Sequence, residues 1–180
     1  MKTITLSLLF ALILSGASVF AQKSGNSGGG HGHTLNLGLG VGGYYGYYNH
    51  VGHSLPVINI NYEFDVARNF TLAPFVSIYT YRNDNDHYRE TILPLGVKGT
   101  YYLDQALNAG PDWDFYLGGS LGFAVRNASW DAGYSGETYY QDVSPLILDL
   151  HLGAEYHLSG NVGLFLDLST GVTTLGLSFR

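Results

Sequence analysis

The chain has 180 residues, a formal charge of −6 and only 12% charged residues, set against 25 glycines and 15 tyrosines. That is too little charge for an ordinary soluble surface and too many aromatics for a disordered chain, so something other than water is expected to solvate part of it. The absence of cysteine excludes a disulfide framework, a lipid-anchored cysteine and zinc–thiolate sites. Without a Lys/Arg cluster, nucleic acid is excluded as a partner, because phosphate binding needs concentrated cationic charge.

In chain order, Lys2 gives a positive start, Ile4 to Leu14 is an almost unbroken apolar run, and Val19-Phe20-Ala21 carries the spacing of a cleavage site. The run falls short of the ~20 residues a membrane-spanning helix needs. Residues 1–21 therefore read as a signal peptide, exported and removed. Residues 22–33 are rich in Gly, Ser, Asn and His without apolar periodicity and read as a flexible, disordered linker. Residues 34–180 suit one domain.

From Thr34 onward the pattern has period two, the signature of strands, and no amphipathic helix is found. Leu35, Leu37, Leu39 and Val41 oppose Asn36, Gly38, Gly40 and Gly42; Ile58, Ile60, Tyr62 and Phe64 oppose Asn59, Asn61, Glu63 and Asp65. After a turn at 66–69 comes a third run from Phe70 to Tyr79, then a fourth from Leu93 to Leu103 and a fifth from Trp113 to Val125. In the sixth, Leu146 to Leu158, a row of leucines faces away from Ile147, Asp149, His151, Gly153, Glu155 and His157. A turn at 159–161 leads to Val162–Ser169, and Thr174–Phe179 is the eighth.

The distribution of charge over the two faces separates a soluble barrel from a membrane barrel. A soluble barrel turns charge outward and fills its core with apolar groups. Here the apolar face carries no charge between the strand ends, whereas the other holds Glu63, Lys98, Asp114, Asp149, His151, Glu155 and Asp167 among Gly, Ser and Ala. So sparse a set does not make a solvated exterior; it suits the narrow lumen of an eight-stranded barrel, as a paired polar network. On the apolar face, Tyr62, Phe64, Phe70, Tyr101, Trp113, Phe115, Tyr156 and Phe179 gather beside the turns at 66–69, 104–112 and 159–161 or at the end of the last strand, as an interfacial aromatic girdle would. The connections at the other end, 43–54, 83–88 and 127–143, are longer and rich in Tyr, Asn, Asp and Gly. The prediction is an all-β, eight-stranded, antiparallel up-and-down transmembrane β-barrel.

Residues 34–180 resemble the small OmpA/OmpX-like outer-membrane barrel domains. The most specific piece is Thr173-Thr174-Leu175-Gly176-Leu177-Ser178-Phe179-Arg180, similar to the terminal strand that such families present to the barrel-assembly machinery, with Arg180 standing after the usual final aromatic. The resemblance implies an integral bacterial outer-membrane protein in contact with lipid and lipopolysaccharide.

Candidate chemistry is limited. His31-Gly32-His33, with His50 and His53, offers imidazoles to a divalent metal, but no carboxylate or third fixed ligand is spaced to complete a site, so neither a metal nor a cofactor is expected. His157-Leu158-Ser159 faintly matches the His-x-Ser of lipid A deacylases, yet Gly160 intervenes before Asn161, His157 faces inward, and no catalytic residue is assigned. Tyr45, Tyr47, Tyr48, Trp130, Tyr134, Tyr139 and Tyr140 lie in the long connections, where Tyr with Ser, Gly and Asn makes adaptable recognition surfaces. The expected function is non-enzymatic: a structural or surface-interaction, adhesion-like role through external loops toward an unidentified ligand. A small channel or carrier for ions or an apolar solute is the alternative, and a lipid A-modifying enzyme the third reading.

Overall fold

The computed structural model describes residues 31, 33–42, 55–83, 87–131, 133 and 146–180. Eight strands follow one another: β1 (Thr34–Gly42), β2 (Leu55–Ala67), β3 (Phe70–Asn83), β4 (Tyr88–Tyr102), β5 (Trp113–Trp130), β6 (Leu146–His157), β7 (Val162–Ser169) and β8 (Val172–Phe179). Each pairs antiparallel with its chain neighbours, and β8 returns to β1 from Leu35↔Phe179 to Gly42↔Val172, closing the barrel. Within its closed part the barrel has no open sheet edge, which is what lets strands cross a bilayer where water cannot satisfy backbone groups.

The period-two pattern has the predicted consequence for solvent contact. Outward residues such as Leu39, Leu148 and Leu150 are 68%, 75% and 68% exposed, while inward polar groups including Asn36, Glu63, Lys98, Asp114 and Asp167 are buried. A continuous band of exposed Leu, Val and Ile around a polar lumen is stable in hydrocarbon and unstable in water, so the fold is that of a transmembrane β-barrel.

Three local features depart from the sequence reading. The connection between β4 and β5 contains one helical turn, α1 (Asp104–Leu107), ended by Asn108 in the left-handed region at φ 51°. Strands β3, β4 and β5 run further than predicted, and residues 127–130, assigned to a loop, belong to β5. The last pair between β5 and β6 is Phe123↔Leu146, and between β2 and β3 it is Ile58↔Ile78. Beyond them the β3–β4–β5 ladder continues to Asn83↔Tyr88 and Tyr88↔Trp130 as a three-stranded ridge.

At the long-connection end of the lumen, Val57, Tyr79, Ile92, Ala124 and Ile147 pack together with Val172 against them as an apolar collar. At the other end the β2–β3 turn is closed by Asn69 at φ 58°.

Candidate functional site: the polar lumen and its turn-side mouth

The inward polar groups fall into three clusters rather than one. In the middle, Lys98 Nζ lies 3.0 Å from Asp167 Oδ2, the His151 ring bridges Asp167 Oδ1 at 2.8 Å and Ser120 Oγ at 3.0 Å, and Tyr116 Oη donates to Asp167 at 3.2 Å. Lys98 also sits 5.0 Å above the Tyr116 ring. The Tyr116 ring fits because its cross-strand partner is Gly153; a Cβ there would collide with the ring. These groups come from β4, β5, β6 and β7, so this ion pair ties opposite walls of the barrel together.

A second cluster gathers on Glu63 of β2. Its carboxylate accepts from Thr71 Oγ1, from Tyr102 Oη at 3.0 Å and from Asn36 Nδ2 at 3.3 Å, and the chain of amides continues through Asn61 and Asn59 to Ser77. Three donors on a buried carboxylate replace the hydration it loses.

The third cluster closes the turn-side mouth. Asp114 Oδ2 meets His157 Nε2 at 2.8 Å and Arg180 Nη2 at 3.0 Å; Arg180 Nη1 reaches Glu155 Oε1 at 2.9 Å, which also accepts from Ser178 Oγ. His31 lies across this mouth. Its ring stacks on Tyr102 at 3.8 Å and 5°, and places Nε2 3.4 Å from Asp104 Oδ2 and Nδ1 3.4 Å from Asp114 Oδ2. Its backbone N–H donates to Asp65 Oδ1 at 3.2 Å, and Thr34 Oγ1 donates to its carbonyl at 3.0 Å. Burial opposes a charged imidazole, but the contact with Asp114 and the charges of Asp114, Asp104 and Asp65 outweigh it and hold the pKa of His31 above its ordinary value. Burial pushes the Asp104 carboxyl up.

This geometry corrects several expectations. The reading of 22–33 as a flexible linker does not hold for His31 and His33, which are tied down; the His33 N–H donates to the Glu63 carbonyl at 2.7 Å. Glu155 is matched by Arg180, a cation that the sequence reading placed only at the end of the terminal strand, because alternation says nothing of a long side chain that folds back over the rim. Asp149 lines the same cavity as Lys98 and His151 but is hydrogen-bonded instead by Thr170 Oγ1, which donates to it at 3.4 Å. Glu90 is a further buried carboxylate, and carrying the alternation of β4 back from Ile92 would have found it. The His-x-Ser pair does not form a nucleophile and base: His157 Nε2 is on Asp114, and Ser159 Oγ accepts from the Asn161 and Val162 amides of its own turn. The carboxylates that sequence spacing could not offer to His31 are supplied by the fold from α1 and the start of β5.

Tyr62, Tyr101, Trp113, Tyr156 and Phe179 are 37–50% exposed on the outer face at the turn end, with Phe64, Phe70 and Phe115 half-buried among them. Trp113 packs on Phe115 and Tyr156 with ring centroids at 5.8 and 4.9 Å. Trp130 closes the described part of β5, and Tyr45, Tyr47, Tyr48, Tyr134, Tyr139 and Tyr140 lie outside the described residues. Side chains fill the lumen around a cavity of about 40 Å³ lined by Asn59, Phe75, Lys98, His151 and Phe165 among others. That is room for roughly three or four waters on the order of 10–15 Å³ each.

A closed antiparallel eight-stranded barrel with an apolar outer band and a filled polar lumen defines the class: a small transmembrane β-barrel. No protein-family model and no curated protein matches the chain. Among solved structures it is similar to Neisserial surface protein A (NspA), at a TM-score of 0.55 and 16% identity over 84% of this chain and 99% of that one. The Yersinia pestis outer membrane protein Ail in a phospholipid bilayer nanodisc (TM-score 0.47, 10% identity, 83% and 99% covered) and a transmembrane β-barrel designed de novo (0.47, 15%, 82% and 95%) are more distant. The likeness to NspA is one of fold.

Proposed function

We propose that this chain is a bacterial outer-membrane protein with a structural or surface-interaction role, exported by residues 1–21 and inserted by the barrel-assembly machinery through β8. The observation that carries the role is the three-stranded ridge. The β5 strand has 18 residues, whereas a tilted strand crosses the hydrocarbon in ~9–11, so a large part of it stands clear of the bilayer at the end with the long connections. On that ridge Thr80, Arg89, Asn127 and Ser129 are exposed, a polar platform at the end of which the connection of residues 131–145 begins. The filled lumen favours this reading over the channel, because an eight-stranded barrel has no spare width for a pore once its side chains are in place. Surface placement is also what the name of NspA states of that protein. Tyr62, Tyr101, Trp113 and the aromatics beside them serve as the inner girdle, and lipopolysaccharide surrounds the base of the ridge.

The test is adhesion of cells carrying the intact protein, compared with cells carrying a variant in which residues 131–145 are replaced by a short Gly/Ser connection. The expected result is lost adhesion with unchanged barrel insertion. Unchanged adhesion together with steady single-channel current from the purified protein would overturn this reading in favour of the channel.

A further inference from the structure

We propose that His31, Asp104 and Asp114 form a site for a first-row divalent metal ion, best matched by Zn²⁺, which staples the segment before β1 to the β4–β5 connection across the turn-side mouth. The three side chains come from three separate parts of the chain, yet each can offer one ligand atom such that all lie within 4.8 Å of one another. His31 Nε2 lies 3.4 Å from Asp104 Oδ2, the ligand-to-ligand spacing of about 3.3–3.4 Å that tetrahedral geometry requires when metal–ligand bonds are ~2.0–2.1 Å; Asp114 Oδ2 lies 3.4 Å from the other ring nitrogen, Nδ1, so a single ion would have to draw Asp114 in from within the 4.8 Å that separates the three ligand atoms.

His31 and Asp104 are held from behind, as metal ligands are, while Asp114 is held at the same oxygen that faces His31. The His31 ring is fixed by stacking on Tyr102 and by its backbone bonds to Asp65 and Thr34. Asp104 is anchored through Oδ1, which accepts from the Phe115 N–H at 2.7 Å. Its other oxygen, Oδ2, is shut off from solvent with no hydrogen-bond donor reaching it among the described residues, and it faces His31. A buried carboxylate oxygen in this position is a costly arrangement unless a cation completes it, either His31 protonated at Nε2 or a metal ion in place of that proton. Asp114 is oriented by His157 and Arg180, which contact its Oδ2.

The local charge points the same way. Asp65, Asp104, Asp114 and Glu155 meet here, while Arg180 is the one permanently charged cation in contact with them among the described residues, and it is shared between Asp114 and Glu155. A divalent ion on Asp104 and Asp114 would offset that excess. One imidazole with two carboxylates suits Zn²⁺ better than Ca²⁺ or Mg²⁺, which favour all-oxygen shells. His33 takes no part, since its ring contacts Tyr62 Oη on the outer face.

The test is isothermal titration of ZnCl₂, and separately of CaCl₂, into the full chain folded in detergent micelles, with folding checked by the heat-dependent gel shift of a closed barrel. One saturable Zn²⁺ site per chain is expected, not displaced by Ca²⁺. It should weaken at least ~10-fold in His31→Ala and in Asp104→Asn, weaken by roughly 10-fold in His157→Gln, and survive replacement of His33, His50 and His53 together by Ala. His31 lies outside the strands, so its variant keeps every ladder bond of the barrel. A Co²⁺ titration read by visible absorption of the tetrahedral ion gives a second measurement. No saturable Zn²⁺ binding, binding undiminished in folded His31→Ala, or binding lost only in the His33/His50/His53 variant would each overturn the site.

Discussion

At the long-connection end, the lumen is closed by Val57, Tyr79, Ile92, Ala124 and Ile147, all supplied by the strands themselves. At the turn end it is closed by Asp114, Glu155, His157 and Ser178 together with His31, Asp104 and Arg180, three residues that lie outside the strands. The difference follows from strand length. Where all the strands from β2 to β6 still run side by side below the ridge, inward apolar residues from each meet across the lumen and pack on one another. At the turn end the strands stop, polar groups reach the rim, and the connecting and flanking segments fold over to satisfy them. One end is therefore held by packing and the other by charge.

The largest expected effect comes from the ion pair between these ends. Lys98→Met leaves Asp167 with His151, Tyr116 and no permanent cation, and breaking a buried pair on one side costs about 3–5 kcal/mol. Urea unfolding from lipid vesicles at neutral pH should show it, and the loss should shrink at acidic pH, where the orphaned carboxylate takes up a proton. Equal losses at both pH values would remove Lys98 from the role of counter-charge.

The collar should respond to volume and not to pH. Ile92 is fully buried, so Ile92→Ala opens a void and is expected to cost about 2–5 kcal/mol, unchanged between acidic and neutral conditions. A pH-dependent loss there would mean that the buried carboxylate of Glu90, two residues away, governs this end as well.

On the outer face, Leu150→Arg, at a side chain 68% exposed in the apolar band, should cost up to about 2–4 kcal/mol in lipid. Wild-type stability of that variant in vesicles would overturn the orientation of all eight strands, because a single slip in register exchanges the two faces.

How far these regions were legible in the sequence follows the same division. Alternation is a local signal, and it located the eight strands, their faces and the inward position of Lys98, Asp114 and Asp167, because a residue's face is set by its parity alone. It could not locate partners. His31 and Asp114 are 83 positions apart in the numbering of the chain, and their meeting depends on barrel closure through β1 and β8. Arg180 was visible only as a departure from a terminal-strand pattern, although its guanidinium links two buried carboxylates. The strand ends of β3 to β5 were cut short because apolar alternation fades there and Asn83 and Asn127 fall in connections rich in Tyr, Asn, Asp and Gly, while cross-strand pairing on the ridge keeps them extended.

At the mouth, the sign of the pH effect distinguishes charge from packing. The pKa of His31 is raised in the folded chain, so its contribution is fully present below the unfolded value near 6.5 and is lost as pH rises through the folded one. In EDTA, the stability gap between the parent and His31→Ala should be widest in mild acid and close toward alkaline pH. A gap that stays constant would assign the role of His31 to its stacking on Tyr102.

The smallest effect is expected at Asp149, which shares its chemistry and its inward parity with Asp167. Asp167 contacts Lys98, His151 and Tyr116, whereas Asp149 lies at the rim beside Gly171, half-buried, with a long hydrogen bond from Thr170. Its carboxylate keeps much of its access to solvent, so little is gained or lost when its charge is removed. Asp149→Asn keeps the shape and an oxygen for Thr170 Oγ1, and should change the unfolding free energy by no more than about 0.5 kcal/mol, the range of substitutions away from buried networks. The double variant with Lys98→Met then decides whether the two carboxylates interact. If Asp149 is outside the central network, the two losses add; if Asp149→Asn recovers part of what Lys98→Met loses, Asp149 repels Asp167 through the lumen and the two belong to one titrating system.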